Sequence, residues 1–448
     1  MIKRIFEKLL SVEITFIILG MLLGNFVIID QLAVSVMIII IISGTMLLHI
    51  VLEGIRWQMY LVYVITLAMI GVFVTGFEIN SLWLNRLIQI ISLVFILVSN
   101  ILAILLPVFQ LPHINKDVSV GVRYLTIKSI HFKSFYPSIN DEKLVKDKYH
   151  PTPTKSLDGI MGAPGFVFSH VKLVKTGAYI DADISKSVAK YPLVIYSHGA
   201  MSTYVDNSAL LIEIASNGYI VLAIDYDFSF KLYGMNQSDA MSMNLEAQKR
   251  FGQELFEKVV PNQVDDISYC LKVLSESNSQ LSQAIDFNNI ALLGHSLGGT
   301  TSVNGSLKIP NVHAVINMDG PIDDKTIPCF HVPLLYMSSF SPDLADEELK
   351  AKRVPVDFYR SVKKYELESV YKMMDKKSSD LFWVRLLTAG HLDFTDMPYI
   401  VPIMTTRGYN KAKGHQLRSI IINKFLDSYL KQDFKMEKIK DRSLEWLT

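Results

Sequence analysis

The chain has 448 residues, of which half are hydrophobic and 19% charged, and its formal net charge is +1. This balance gives no electrostatic footprint for nucleic acid, so we expect no nucleic-acid partner. Its two cysteines, Cys270 and Cys329, are too few for a disulfide framework and lack metal-ligand spacing, so no metal is expected.

The first part of the chain contains four long runs without charged residues, at 14–29, 31–52, 57–77 and 87–111. A helix needs about 20 apolar residues to cross the hydrocarbon core of a bilayer. We therefore predict an all-α transmembrane domain over residues 1–112. Its predicted helices lie at about 10–29, 32–52, 57–77 and 87–109.

The basic residues around these runs predict an orientation. With four spans, Arg86 is the one basic residue on one side of the membrane. The other side carries Lys3, Arg4, Lys8, Arg56, Lys116 and Arg123. By the positive-inside rule, the remainder of the chain faces the cytoplasm of a multi-pass cell-membrane protein. The sequence gives no oligomeric state.

Residues 113–448 have the pattern of an α/β domain. Alternating segments at 118–127 and 130–136 predict an antiparallel hairpin that ends at Pro137. From residue 191, apolar strands alternate with helical patterns, which predicts a mostly parallel sheet covered on both faces. The strands are predicted at 193–196, 219–224, 290–293, 314–318, 334–337 and 382–387, and helices at 207–216 and 264–274.

Two inserts, at about 228–261 and 344–380, interrupt this alternation. Such inserts fall where strands end, at the rim that holds the site in this class of fold. They either cap an apolar substrate pocket or pack on the core, and the sequence leaves both open.

A nucleophile elbow follows the strand at 290–293. Gly294-His295-Ser296-Leu297-Gly298 leads into a helical pattern. The turn must be so tight that Ser296 is strained, and glycine at 294 and 298 lets the two backbones pass. Ser296 is therefore the candidate nucleophile.

A serine nucleophile needs a base, and four histidines follow it: His313, His331, His391 and His415. His391 is the one in a loop at the strand-end rim, after Ala389-Gly390, and it comes last in the chain, as this fold requires. The acid that orients it is Asp319 or Asp343. Asp319 is favoured because it directly follows a strand.

The oxyanion formed by attack on an ester needs preorganised amide donors. The backbone amide of Leu297 supplies one, and the turn Ser197-His198-Gly199-Ala200 supplies a second from Ala200. We expect His198 to anchor its own loop. Asp393 and Asp396 are expected to order the loop of His391.

Four separated segments resemble alpha/beta hydrolases of the platelet-activating factor acetylhydrolase type, meaning the plasma and type II enzymes and their bacterial relatives. They are Phe135-Tyr136-Pro137-Ser138, Tyr196-Ser197-His198-Gly199, Gly294-His295-Ser296-Leu297-Gly298-Gly299 and Gly390-His391-Leu392-Asp393-Phe394-Thr395-Asp396. The resemblance covers about 118–430 and implies the alpha/beta-hydrolase fold. In that family the acid follows the strand after the nucleophile, which corresponds to Asp319.

The resemblance also implies a function. The family hydrolyses short or oxidised acyl esters, including the sn-2 ester of phospholipids, without calcium or another cofactor. We therefore expect a membrane-anchored serine esterase that forms an acyl-enzyme, with esters or phospholipids as substrates. The alternatives are an acyltransferase that uses the same triad and a non-catalytic membrane scaffold that binds a ligand.

Overall fold

The structure is a computed structural model that describes residues 4–448 except 24–31, 78, 116, 140–143, 151–163, 201, 227–251, 340–345, 352–355, 377–379 and 433–434. The chain forms two compact units. The first comprises residues 1–110 together with 166–174 and 400–403, and the second comprises the rest. The sequence assigned both short segments to the catalytic domain, and the boundary at residue 112 stays a prediction.

The first unit is helical. Its long helices are α1 (Ile5–Leu22), α2 (Leu32–Leu48), α3 (Tyr60–Thr75) and α4 (Leu82–Leu105). Helix α2 continues as a π-helix over His49–Glu53, and a 3-10 turn at Trp57–Met59 precedes α3. Apolar side chains of α1, α3 and α4 pack into one core that includes Leu10, Ile14, Val62 and Ile96.

Apolar side chains also cover the outside of this unit, such as Phe16, Ile40, Val64 and Leu97. Helices that are apolar all round are typical of membrane spans. Among the residues that the structure describes, three helical stretches are long and apolar enough to cross a membrane, namely Val34–Glu53, Trp57–Thr75 and Leu82–Leu105.

The observed helices differ from the predicted spans at their ends, most of all at the start of α4 and of α1. Helix α4 begins at Leu82 rather than at residue 87, because Ser81 caps it and Arg86 lies inside the helix. Helix α1 begins at Ile5, before the uncharged run, and carries Glu7, Lys8 and Glu13. The end of its predicted span lies outside the described residues, so the fourth span stays a prediction.

The first unit also contains buried charges. Arg4 Nε donates to Glu7 Oε2 at 2.7 Å, and Arg56 donates to the other carboxylate oxygen of Glu7. The Nη atoms of Arg4 donate to the backbone oxygens of Glu53 and Gly54, each at 2.7 Å. Arg4 and Arg56, which the sequence analysis used to predict the orientation, are therefore buried in ion pairs.

The second unit contains a mixed sheet of eleven strands, in the order β11-β10-β9-β8-β7-β5-β6-β2-β1-β4-β3. The strands are β1 (Ser119–Ile127), β2 (Ile130–Ser138), β3 (Lys146–Lys148), β4 (Lys175–Ile180), β5 (Tyr191–Ser197), β6 (Ile220–Asp225), β7 (Ile285–His295), β8 (Val312–Met318), β9 (Leu334–Ser339), β10 (Leu381–Leu386) and β11 (Leu444–Trp446). Strands β5 to β10 are parallel to one another. Their carboxyl ends therefore meet at one edge.

The later part of the chain also contains helices. They are α5 (Ser208–Ser216), α6 (Val260–Ser275), α7 (Gln280–Ala284), α8 (Leu297–Gly305), α9 (Asp346–Ala351), α10 (Val356–Lys376), α11 (Met397–Ile400) and α12 (Lys411–Leu426). Short 3-10 helices lie at Gly165–Leu173, Ile327–Cys329, His391–Phe394 and Pro402–Met404, and π-helices at Leu255–Val259 and Asp427–Lys431.

Side chains of β5 alternate between the two faces of the sheet. Leu193 and Ile195 join a core with α6, whereas Tyr196 points to the opposite face and its hydroxyl donates to Asp206 before α5. The predicted strands and the hairpin are confirmed within a few residues. Pro137, however, lies inside β2, where it pairs with Val120, and does not end the strand.

The two predicted inserts are described only in part. Most of the first, residues 227–251, lies outside the described residues. Its described end forms the π-helix at Leu255–Val259 and the start of α6. In the second insert, Val370 and Met373 of α10 pack into a core with Trp383 of β10, so this helix covers the sheet.

A buried ion pair joins the strands at one end of the sheet. Lys133 Nζ of β2 lies 2.7 Å from Asp147 Oδ2 of β3, and both side chains are fully buried. Asp147 also accepts from the hydroxyls of Tyr124, at 2.6 Å, and Thr176, at 2.8 Å. One carboxylate therefore connects side chains of four strands.

We expect Lys133→Met to lower the free energy of unfolding by about 3–5 kcal/mol, because Asp147 keeps a buried charge without its counter-ion. The control is Lys148→Met, an exposed side chain of β3, which should change it by less than about 0.5 kcal/mol. Urea unfolding of the detergent-solubilised chain measures both. Equal midpoints for the two variants would contradict the role of the ion pair.

Candidate active site

Ser296 stands between β7 and α8 in a strained conformation, with φ 55°. The two glycines around it have no room for a side chain. A Cβ atom on Gly294 would lie 2.0 Å from the carbonyl oxygen of Gly298, and one on Gly298 would lie 2.0 Å from that of Ser197. The close approach of the strand and the helix therefore fixes Ser296 at the amino end of α8.

Asp319 and His391 meet at the same edge of the sheet. Asp319 follows β8, His391 follows β10, and His391 Nδ1 lies 2.7 Å from Asp319 Oδ2. Asp319 Oδ1 accepts from the backbone amide of Ser339 at 2.6 Å. Burial favours the neutral acid, but the hydrogen bonds from His391 and Ser339 outweigh it and hold the pKa of Asp319 below its ordinary value. The acid is therefore ionised and fixes His391 as the Nδ1–H tautomer.

Backbone contacts connect Ser296 to the turn that carries the acid. The amide of Ser296 donates to the carbonyl oxygen of Met318 at 2.9 Å. A Cβ atom on Gly320 would lie 2.1 Å from the carbonyl oxygen of Ser296, so only glycine fits there. The nucleophile candidate and the acid candidate are thus held by neighbouring backbone.

His295 holds the loop of the base, a role that the sequence analysis missed. Its Nε2 lies 3.0 Å from the carbonyl oxygen of His391 and must donate to it. Burial and the neighbouring His391 lower the pKa of His295 to about 3, so its ring is neutral. The sequence did contain a signal for this role. His295 directly precedes Ser296 in the elbow motif, so its side chain lies beside the nucleophile.

The two residues proposed to supply oxyanion amides lie in one apolar cluster. Leu297 begins α8, where a first-turn amide has no partner within the helix. Ala200 packs against the cluster of Leu297, Val259 and Val260. A Cβ atom on Gly199 would lie 3.1 Å from Ser296 Cβ, so the loop before Ala200 lies against the nucleophile.

Both ring nitrogens of His198 form hydrogen bonds with backbone groups. Its Nδ1 donates to the carbonyl oxygen of Gly199 at 2.8 Å, and its Nε2 accepts from the amide of Tyr226 at 3.3 Å. Burial lowers the pKa of His198 to about 4, so the ring is neutral. The alternative acid, Asp343, lies outside the described residues.

The loop after His391 is fixed by carboxylates. Asp393 Oδ2 accepts from the amide of Gly390 at 2.8 Å. Asp396 Oδ2 accepts from the amide of Ala209 at 3.2 Å, and the amide of Asp396 donates to the carbonyl oxygen of Asp206 at 2.7 Å. Each therefore binds backbone.

Asp206 connects this loop to the loop of Ala200, which the sequence analysis did not predict. Its Oδ2 accepts from Ser202 Oγ at 2.5 Å, and its Oδ1 from the hydroxyl of Tyr196. Burial raises the pKa of Asp206 to about 6 and that of Asp396 to about 7. Two buried acids of raised pKa thus lie between the loops of the site.

The site residues offer no cluster of metal ligands among the residues that the structure describes. The group that brings three ligand atoms within 4.8 Å of one another is Glu7, His49 and Glu53 in the helical unit. The carboxylate of Glu7 already binds Arg4 and Arg56, that of Glu53 accepts from the amides of Phe6 and Glu7, and His49 binds Tyr63. Two guanidinium groups beside the ligands oppose a cation there.

The chain matches the sequence model of the family described as platelet-activating factor acetylhydrolase, isoform II, over residues 104–438. It is similar to the platelet-activating factor acetylhydrolases of Bos taurus, 25% identical over 272 residues, and Canis lupus familiaris, 26% identical over 270. Each alignment covers 51% of this chain and 60% of the relative. The chain therefore spans less than two thirds of the length of these relatives.

Among solved structures, the chain is similar to the ferulic acid esterase from Streptomyces cinnamoneus. The TM-score is 0.54 at 18% identity, and the match covers 76% of this chain and all of that one. At this identity the likeness shows the fold alone, and it confirms the predicted alpha/beta-hydrolase fold. The predicted family is confirmed by the match of its sequence model.

The buried acids predict a pH dependence of stability. Because the folded-state pKa of Asp396 is raised to about 7, its contribution is fully present below about pH 4 and is lost as the pH rises through 7. Around pH 7 the unfolding free energy should therefore fall as the pH rises. We expect Asp396→Asn to reduce the steepness of this fall by up to about 1.4 kcal/mol per pH unit.

The measurement is urea unfolding of wild type and variants at intervals from pH 4 to pH 8. The exposed Asp375→Asn is the control and should keep the wild-type slope. Identical slopes for wild type and Asp396→Asn would contradict the buried, protonated state of Asp396.

Proposed function

Because residues 104–438 match its sequence model, the chain belongs to the isoform II family of platelet-activating factor acetylhydrolases, and we propose that it is a serine carboxylic ester hydrolase. One observation carries the proposal. The strained Ser296 lies at the same sheet edge as a His391 whose Nδ1 is 2.7 Å from the ionised Asp319. A serine, an acid and a histidine in this chain order are the triad of an alpha/beta hydrolase.

In the proposed reaction, Ser296 Oγ attacks the carbonyl carbon of an ester and His391 Nε2 takes its proton. Asp319 holds the other ring nitrogen in its protonated state and stabilises the imidazolium that forms. Asp319 does not take the proton, because its lowered pKa keeps it ionised.

The tetrahedral oxyanion is stabilised by the backbone amides of Leu297 and Ala200. When the intermediate collapses, the ester C–O bond breaks and His391 gives its proton to the leaving alcohol. Water then attacks the acyl-enzyme, with His391 again as base, and releases the acid and Ser296. No step uses a cofactor.

The proposed substrates are short or oxidised acyl esters, including the sn-2 ester of phospholipids. The family match supports this class, and so does the apolar cluster of Leu297, Val259, Val260 and Ala200 beside the nucleophile. Val259 and Val260 come from the first insert, so its described end supplies part of this wall. A π-helix at Leu255–Val259 leads into it, and such turns are frequent at functional sites.

We also propose that the helical unit anchors the enzyme in the cell membrane. The support is the length and apolar composition of Val34–Glu53, Trp57–Thr75 and Leu82–Leu105. An anchor raises the local concentration of lipid esters around the chain. With α1 as a fourth span, the distribution of basic residues favours a cytoplasmic catalytic unit.

We expect Ser296→Ala to lose ester hydrolysis by a factor on the order of 10⁴ or more, because no other group can form the acyl-enzyme. Substrates are a chain-length series of nitrophenyl esters and a phosphatidylcholine with a short sn-2 chain. Fluorophosphonate labelling should disappear with turnover.

The matched control is Ser302→Ala, which removes a buried hydroxyl from the same helix, one that donates to the carbonyl oxygen of Gly298 at 2.9 Å. This variant should keep labelling and turnover. A wild type that neither labels nor hydrolyses any of these esters would overturn the proposed activity.

Cys329 provides a test of orientation, since it is exposed whereas Cys270 is buried. A membrane-impermeant maleimide should label Cys329 only after the cells are permeabilised, because the catalytic unit faces the cytoplasm. The Cys329→Ser variant should remove the label. Labelling of Cys329 in intact cells would place the catalytic unit outside.

A further inference from the structure

A groove of about 640 Å³ runs between α1 and α4 in the helical unit. This volume lies within the range of small-molecule sites, about 300–1,000 Å³. On α1 the lining residues recur every three or four positions from Arg4 to Leu19, which is one stripe of the helix. At about 1.5 Å per residue, this stripe is about 22 Å long.

The two ends of the groove differ in chemistry. Arg4, Lys8 and Arg56 line one end with Glu7, and a carboxylate oxygen of Glu53 lies within 4.8 Å of one of Glu7, which leaves an excess of one positive charge. Phe16 and Leu19 line the other end, and both are exposed apolar side chains. The groove is therefore amphipathic along its length.

Two buried polar groups in the lining lack a partner among the described residues. They are Arg56 Nε and Ser11 Oγ, and each residue is only 4% exposed. The remaining guanidinium nitrogens of Arg56 bind Glu7 and the carbonyl oxygens of Ala103 and Leu106. A buried donor without a partner is costly, so an acceptor from a ligand would satisfy it.

We propose that this groove binds an acidic lipid, with a phosphate or carboxylate head group at Arg56, Ser11 and Lys8 and its acyl chain along Phe16 and Leu19. An anion complements the excess of positive charge, and Arg Nε–H is a strong donor to such groups. The acyl chain covers apolar side chains that belong to a predicted membrane-spanning region. This site is separate from Ser296 and does not depend on the proposed hydrolysis.

The test uses the full chain in a non-ionic detergent and three probes that lack an ester, namely palmitate, hexadecyl phosphate and hexadecanol. Native mass spectrometry counts bound molecules, and displacement of radiolabelled palmitate gives affinities. We expect one palmitate or hexadecyl phosphate per chain, and weaker binding of neutral hexadecanol. The tighter anion identifies a carboxylate or a phosphate as the preferred head group.

Two variants locate the site. Lys8→Gln, on an exposed side chain, should weaken anion binding about fivefold. Ser11→Phe fills the groove and should abolish the site. Arg86→Gln on α4, which does not line the groove, is the control and should bind as wild type does.

Equal binding of hexadecanol and palmitate would overturn the proposal, as would anion binding that neither Lys8→Gln nor Ser11→Phe changes. Because the probes have no ester bond, these outcomes are independent of whether Ser296 is a nucleophile.

Discussion

The proposed catalytic edge depends on one close backbone contact, where β7 turns directly into α8. Gly294 meets Gly298 and Gly298 meets Ser197, at distances that exclude any side chain. Ser296 can only join the strand to the helix at positive φ, a conformation that costs free energy and persists because its surroundings fix it. The same contact holds the loop after β5 against the nucleophile. Two parts of the chain that are far apart in sequence therefore lie together at the proposed catalytic edge.

The base needs other means of positioning, because His391 lies in a loop rather than at the end of a strand. Asp319 fixes its ring, and His295 and Asp393 fix the backbone on either side. The rings of His295 and His391 are 4.7 Å apart. A charged His295 would oppose the imidazolium that His391 forms in the proposed reaction, so the lowered pKa of His295 suits its place.

The sheet, the elbow and the order of the triad candidates could be predicted, because each leaves a local pattern of apolar runs and glycines. Other features depend on contacts between distant residues and leave no such pattern. The short strands β3, β4 and β11 form by pairing with neighbours, and Asp206 and Asp396 become a pair only when their loops meet. The burial of Arg4 and Arg56 could not be predicted for the same reason, since Glu7 pairs with both only in the fold.

The internal pairing of charges affects whether α1 could be a span of the proposed membrane anchor. Glu7 is buried and paired with Arg4 and Arg56, and the exposed Lys8 in the first turn can reach the interface with its long side chain, so neither residue prevents the proposed crossing. Glu13 is the charged residue farther along α1, and its Oε1 accepts from the hydroxyl of Thr45 on α2 at 3.1 Å. A carboxyl group that is half-buried and bound to a neighbouring helix need not face lipid. This arrangement favours α1 as the fourth span of the proposed anchor, in which both ends of the described chain would lie on one side of the membrane.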